Sequence, residues 1–112
     1  SQTSSLASVP KLAVVQPKRV RISQGVTRGL LLRKIEPTYP LLARQARVQG
    51  EVVLKAIITR EGDIKELELV SGHPMLAPAA IAAVKEWHYR PFLLNGEPIE
   101  VETTVTVTFS LF

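Results

Sequence analysis

A hydrolytic centre needs a nucleophile, a base and a third group that orients the base, and Ser71, His73 and Asp63 are the residues of this chain that could be assembled into one. All three fall in turn-forming stretches, and no elbow motif surrounds the serine. His73 and His88 are the only histidines and there is no cysteine, so neither a zinc-type ligand spacing nor a thiolate site is available. The glycines stand singly, which leaves no phosphate-cradling loop. Glu100 and Glu102 share one face of a strand pattern, the ordinary way of keeping a strand soluble. No catalytic residue, metal, cofactor or small-molecule substrate is therefore expected, and the chemistry on offer is that of surfaces and backbone.

The elements that must present that surface are legible in the hydropathy pattern. Ile99, Val101, Thr103, Val105, Val107 and Phe109 alternate with Glu100, Glu102, Thr104, Thr106 and Thr108, so the end of the chain reads as a long strand with one apolar face. Asn95-Gly96 predicts a tight hairpin from Phe92-Leu93-Leu94 into that strand. Glu51 to Arg60 predicts a strand covered on both sides for part of its length, since Val53 and Ile57 oppose Val52, Leu54, Ala56 and Ile58. Arg60-Glu61-Gly62-Asp63 turns the chain into a second strand over Ile64–Val70, with Glu66 and Glu68 facing solvent. Pro40 opens a helix of about two turns in which Leu42, Ala43 and Ala46 recur at helical spacing and Arg44 and Arg47 lie on the wet side, and Gly50 ends that segment. A longer helix starts at Pro78 and runs through Ala80, Ile81, Val84, Trp87 and His88 to Tyr89, where Pro91 stops it.

With 112 residues the chain fits one domain with one core. Residues 1–17 read as a flexible linker, and residues 18–34 as an N-terminal extension in which Arg19-Val20-Arg21-Ile22-Ser23 and Leu30-Leu31-Leu32 suggest two short strands joined by a loop. No stretch approaches the roughly eighteen apolar residues that span a bilayer, and the start lacks the order of a signal peptide. The net charge of +4 hides an asymmetry: residues 1–50 carry nine Lys or Arg against Glu36 alone, and residues 51–112 carry five against nine acids. The bases of the first half are dispersed and have no interleaved aromatics, so nucleic acid is not expected as a partner. A terminal, Thr-rich, β-branched strand often lies at a sheet edge, where unpaired peptide groups accept another chain.

Glu36-Pro37-Thr38-Tyr39-Pro40, Ala43, Gly50, Ser71-Gly72, Ala80 and Trp87-His88-Tyr89-Arg90-Pro91, in this order among the strands, resemble the C-terminal domain of TonB-type energy transducers from about Ile35 onward. The resemblance implies an α+β fold over residues 35–112, a three-stranded antiparallel sheet with two helices packed on one face and room for an extra N-terminal strand. It implies a periplasmic domain, anchored to the inner membrane by a segment not present in this chain, that binds the N-terminal peptide of TonB-dependent outer-membrane receptors by strand addition. Inner-membrane proton-channel partners would act through the absent segment. The partner-peptide site carried over is the last strand, Val101, Thr103, Thr104, Val105, Thr106, Val107, Thr108 and Phe109, with Glu36 and Tyr39 close by. The family often has Gln where this chain has Glu36, which places a carboxylate beside the peptide. Pro40, Gly50, Trp87, Tyr89 and Pro91 are implied to be architectural. An envelope assembly module that self-associates through its edge strand, as a homodimer, is the alternative. One of the N-terminal strands could itself cover the edge assigned to the peptide.

Overall fold

The structure, a computed structural model, describes residues 19–111. The expected linker at 1–17, Lys18 and Phe112 lie outside the described residues. In chain order the elements are β1 (Arg19–Arg21), α1 (Gln24–Arg28), β2 (Leu31–Arg33), α2 (Leu41–Gln45), β3 (Gly50–Ile58), β4 (Ile64–Ser71), α3 (Ala77–Val84), β5 (His88–Tyr89), β6 (Phe92–Leu94) and β7 (Glu97–Phe109). The fold is α+β, as expected, but its sheet is larger. The strand order is β1-β7-β3-β4, with β6 added to the start of β7, and β2 and β5 form a separate two-stranded pair.

Alternation builds this sheet. β3 and β7 pair antiparallel from Gly50 opposite Phe109 to Ile58 opposite Val101, which puts Val52, Leu54, Ala56 and Ile58 on the same face as Val101, Val105, Val107 and Phe109. These residues are at most 5% exposed, and Ala43, Leu76, Ala77, Ala80, Val84 and Trp87 close over them. Ile57 is also buried, on the opposite face, so β3 is central in both senses. That face carries Arg19, Lys65, Glu100, Arg21, Glu102, Lys55 and Glu68, joined by ion pairs of 2.8–3.1 Å.

Several expectations are corrected. The last strand is not a plain edge, because β1 runs parallel to it over Glu100–Glu102. The N-terminal extension is strand, helix, strand, since Ser23 accepts a hydrogen bond from the Val26 N–H (3.3 Å) and caps α1. α2 has five residues, little more than one turn, and Leu42 is 67% exposed where an inward position was expected. α3 ends at Val84, and His88–Tyr89 leave the helical path to pair with β2. Tyr89 donates its N–H to the Gly62 carbonyl (2.8 Å) and Arg90 to the Leu30 carbonyl (2.7 Å), bonds that a continued helix would forgo. The hairpin is as expected: Asn95 and Gly96 have φ of 53° and 83°, as a two-residue turn requires.

Candidate functional site: the open side of β7

Successive peptide groups along a strand point to alternate sides. The Glu102 carbonyl accepts from the Ile22 N–H at 2.8 Å, so the even-numbered peptide groups of β7 face β1 and the odd-numbered ones face β3. Beyond Glu102, no strand among the described residues pairs with β7 on the β1 side. The N–H and C=O groups of Thr104, Thr106 and Thr108 therefore open outward. Val101, Thr103, Val105, Val107 and Phe109, included in the site by resemblance, turn their peptide groups to β3 and their side chains into the core.

Two adjoining pockets flank this open stretch and share Lys34, Trp87 and Thr106. One lies between Thr104–Thr106 and Thr27, Arg28 and Leu31; the other lies between Thr106–Thr108 and Glu36 and Pro37. Trp87 is held by its indole N–H, which donates to the Ile35 carbonyl (2.9 Å), and Lys34 sits 5.8 Å from the ring centroid. Lys34 and Glu36 approach within 3.7 Å, an exposed pair of little energetic weight. Burial pushes the Tyr89 phenol up to about 12.

The structure brings Glu36 and the outward threonines into one groove. It does not bring Tyr39 there. Tyr39 packs edge-to-face on Phe109 (5.4 Å, 88°), donates its hydroxyl to the Val48 carbonyl and lies under the Arg44 guanidinium, which makes it a brace for the end of β7. Sequence reasoning missed Thr27, Arg28, Lys34 and Pro37 as groove residues. Thr27 is 2% exposed, and its hydroxyl meets that of Thr103 at 3.1 Å while also reaching the Ser23 and Gln24 carbonyls (3.4 and 3.2 Å), so the buried hydroxyls are hydrogen-bonded. The one available signal was Ser23 ahead of Gln24-Gly25-Val26-Thr27, a cap pattern obscured by glycines.

The residues that could have formed a triad are dispersed. Asp63 bonds the Nδ1 of His88 at 2.9 Å, and His73 turns its Nδ1 to the Met75 N–H at 3.0 Å. Among the described residues no three His, Asp or Glu side chains converge as metal ligands, and no helix is long and apolar enough to cross a membrane.

The sequence profile of the family described as Gram-negative bacterial TonB protein C-terminal matches residues 35–111. The chain belongs to this family. It is 27% identical over 99 residues to the TonB protein of Vibrio cholerae serotype O1, covering 80% of this chain and 41% of that protein. It is 32% identical over 77 residues to the TonB protein of Xanthomonas campestris pathovar campestris, covering 67% of this chain and 34% of that protein. The chain thus spans between a third and two fifths of these relatives' length. The solution structure of the Pseudomonas aeruginosa TonB C-terminal domain superposes with a TM-score of 0.60 at 27% identity, over 72% of this chain and 84% of that one. The TonB2 protein of Vibrio anguillarum gives 0.56 at 34% identity, over 74% and 81%. The TonB family is non-enzymatic.

Proposed function

We propose that this domain is the periplasmic, receptor-facing part of a TonB-type energy transducer, and that it captures an extended N-terminal segment of an outer-membrane receptor as a new strand on the open side of β7. Coupling to the proton-motive force would run through an inner-membrane segment outside this chain. The observation that carries the reading is the row of peptide groups at Thr104, Thr106 and Thr108, unpaired among the described residues, beside a groove lined by Trp87 and Lys34. Three outward residues offer six donors and acceptors. About five bonds at ~0.5–1.5 kcal/mol each total roughly 2.5–7.5 kcal/mol, short of the ~8 kcal/mol of a micromolar complex even before the association cost, so the ladder alone gives weak capture and side chains seated in the flanking pockets must add to it. Weak capture suits a coupling that must let go.

Alternation supplies the test. Thr106→Pro removes an outward N–H that no described strand uses, whereas Val105→Pro removes one that pairs with β3. In amide titrations with receptor N-terminal peptides, the wild type should shift at Thr104, Thr106 and Thr108. Thr106→Pro should keep its fold and weaken binding roughly tenfold, and Val105→Pro should unfold. Undiminished binding by Thr106→Pro would sink the proposal.

A second reading, self-association, is favoured by β4, which ends the sheet and exposes Leu69 and Val70 (43% and 60%). In the same titrations it would show as silence toward every peptide, with concentration-dependent shifts along β4.

A further inference from the structure

On the outer side of β7 the chain has already spent part of the strand on itself. β1 pairs in register with Glu100–Glu102 and is pinned by ion pairs, Arg19 to Glu100 through Nε (3.0 Å) and Nη2 (2.8 Å) and Arg21 to Glu102 at 3.1 Å. Lys65 grips the other carboxylate oxygen of Glu100 at 3.1 Å. After the Ile22 N–H has bonded the Glu102 carbonyl, Ser23 turns the chain out of the sheet into α1. α1 then places Thr27 beneath the edge, where its hydroxyl meets that of Thr103. Moving α1 aside would strand a buried hydroxyl, so the segment resists displacement at both ends. What remains is the stretch from Thr104 to Thr108. The two pockets beside it are offset by two residues along β7, the spacing of alternate side chains on one face of an added strand.

We propose that the β1–α1 segment, Arg19–Arg28, is an end stop that sets the length and register of the captured chain: five residues of an extended segment opposite Thr104–Thr108, with two alternate side chains seated on either side of Trp87. The inference rests on the strand-addition reading. Arg19 and Arg21 act as positioning residues, since they touch β7 and not the captured chain, whereas Thr27 both meets Thr103 and lines the pocket that would take one captured side chain. A longer partner gains nothing by extending past Ser23, because its next ladder positions are filled.

The test uses the whole chain and two synthetic peptides, acetylated and amidated: Thr-Val-Thr-Val-Thr, and a nine-residue peptide with the same alternation. Backbone chemical shifts and titrated affinities are measured for the wild type and for the double reversal Arg19→Glu, Arg21→Glu, which sets β1 against Glu100 and Glu102. In the wild type the two peptides should bind within about twofold of each other, with shifts ending at Thr104. In the reversal the nine-residue peptide should gain about tenfold over the shorter one, and shifts should spread to Glu100 and Glu102. If the double reversal does not fold, Arg21→Gln should show the same change of footprint to a smaller extent. A nine-residue peptide that binds the wild type tenfold more tightly than the five-residue one, with shifts through Arg19–Ile22, would overturn the end stop while leaving strand addition standing. Neither peptide shifting Thr104–Thr108 in either protein would overturn strand addition, and the end stop with it.

Discussion

Gly62 has a φ of +95°, and a Cβ placed on it would lie 1.8 Å from the Tyr89 carbonyl oxygen. The sequence marks this glycine as part of a turn, but the closer reason is tertiary. The β3–β4 turn is stitched to β5 by the Tyr89 N–H bond to Gly62 and by the Asp63–His88 pair. Gly62→Ala combines left-handed strain of about 1–2 kcal/mol with a backbone clash, so a loss of at least about 2 kcal/mol is expected in urea denaturation. An unchanged midpoint would refute the close approach. Two aromatic residues change places against what the resemblance implies, Tyr39 beside the peptide and Trp87 architectural. Trp87 lines the groove, whereas Tyr39 lines neither of its pockets and packs instead on Phe109 and Val48.

At the scale of elements, the ion pairs make β1 an acid-sensitive strand. The Arg19 hydrogen bond, helped by Lys65, holds Glu100 below the ordinary glutamate range against partial desolvation. A carboxylate depressed in the folded state contributes stability above its unfolded pKa of about 4.3, and loses it as pH falls through that value toward the folded one. Melting temperature should therefore drop along this acid limb, and Glu100→Gln should flatten it; an unaltered limb would argue against the pairing. β3, β4 and the β6–β7 hairpin were legible because their period of two and their turn residues are local signals. The end of α3 was not, because Trp87, His88 and Tyr89 continue a helical spacing while the chain over His88–Arg90 is claimed by Gly62 and by residues 30–33, far away in sequence. β1 was legible as a strand that could cover the edge of the last strand, but not in its parallel sense or register: pairing across about eighty residues leaves no trace of either in the two segments. The groove was half legible. Thr104, Thr106 and Thr108 were included with the rest of the last strand, but which of the alternate peptide groups face outward depended on the side taken by β1.

For the whole molecule, the family match begins at residue 35 while the packed structure begins at Arg19. Residues 19–34 supply a sheet strand, the buried Thr27 and the partner of β5, so they are part of the folded unit. A chain starting at Lys18 should melt with the full-length chain. One starting at Ile35 should melt roughly 10 °C lower, as the loss of about 2 kcal/mol implies for a domain of this size. Equal melting of both would mean that the extension is merely draped on the surface. The lengthwise arrangement of β7 has one more outcome. β1 and the open stretch lie end to end on the same side of it, so on the strand-addition proposal tension entering through β1 and tension from a captured segment would be carried by one strand, along its own axis. In that direction the ladder bonds would have to fail together and not in turn, so β7 would work as a splice, a joint that holds under axial load and can still be peeled apart from the side.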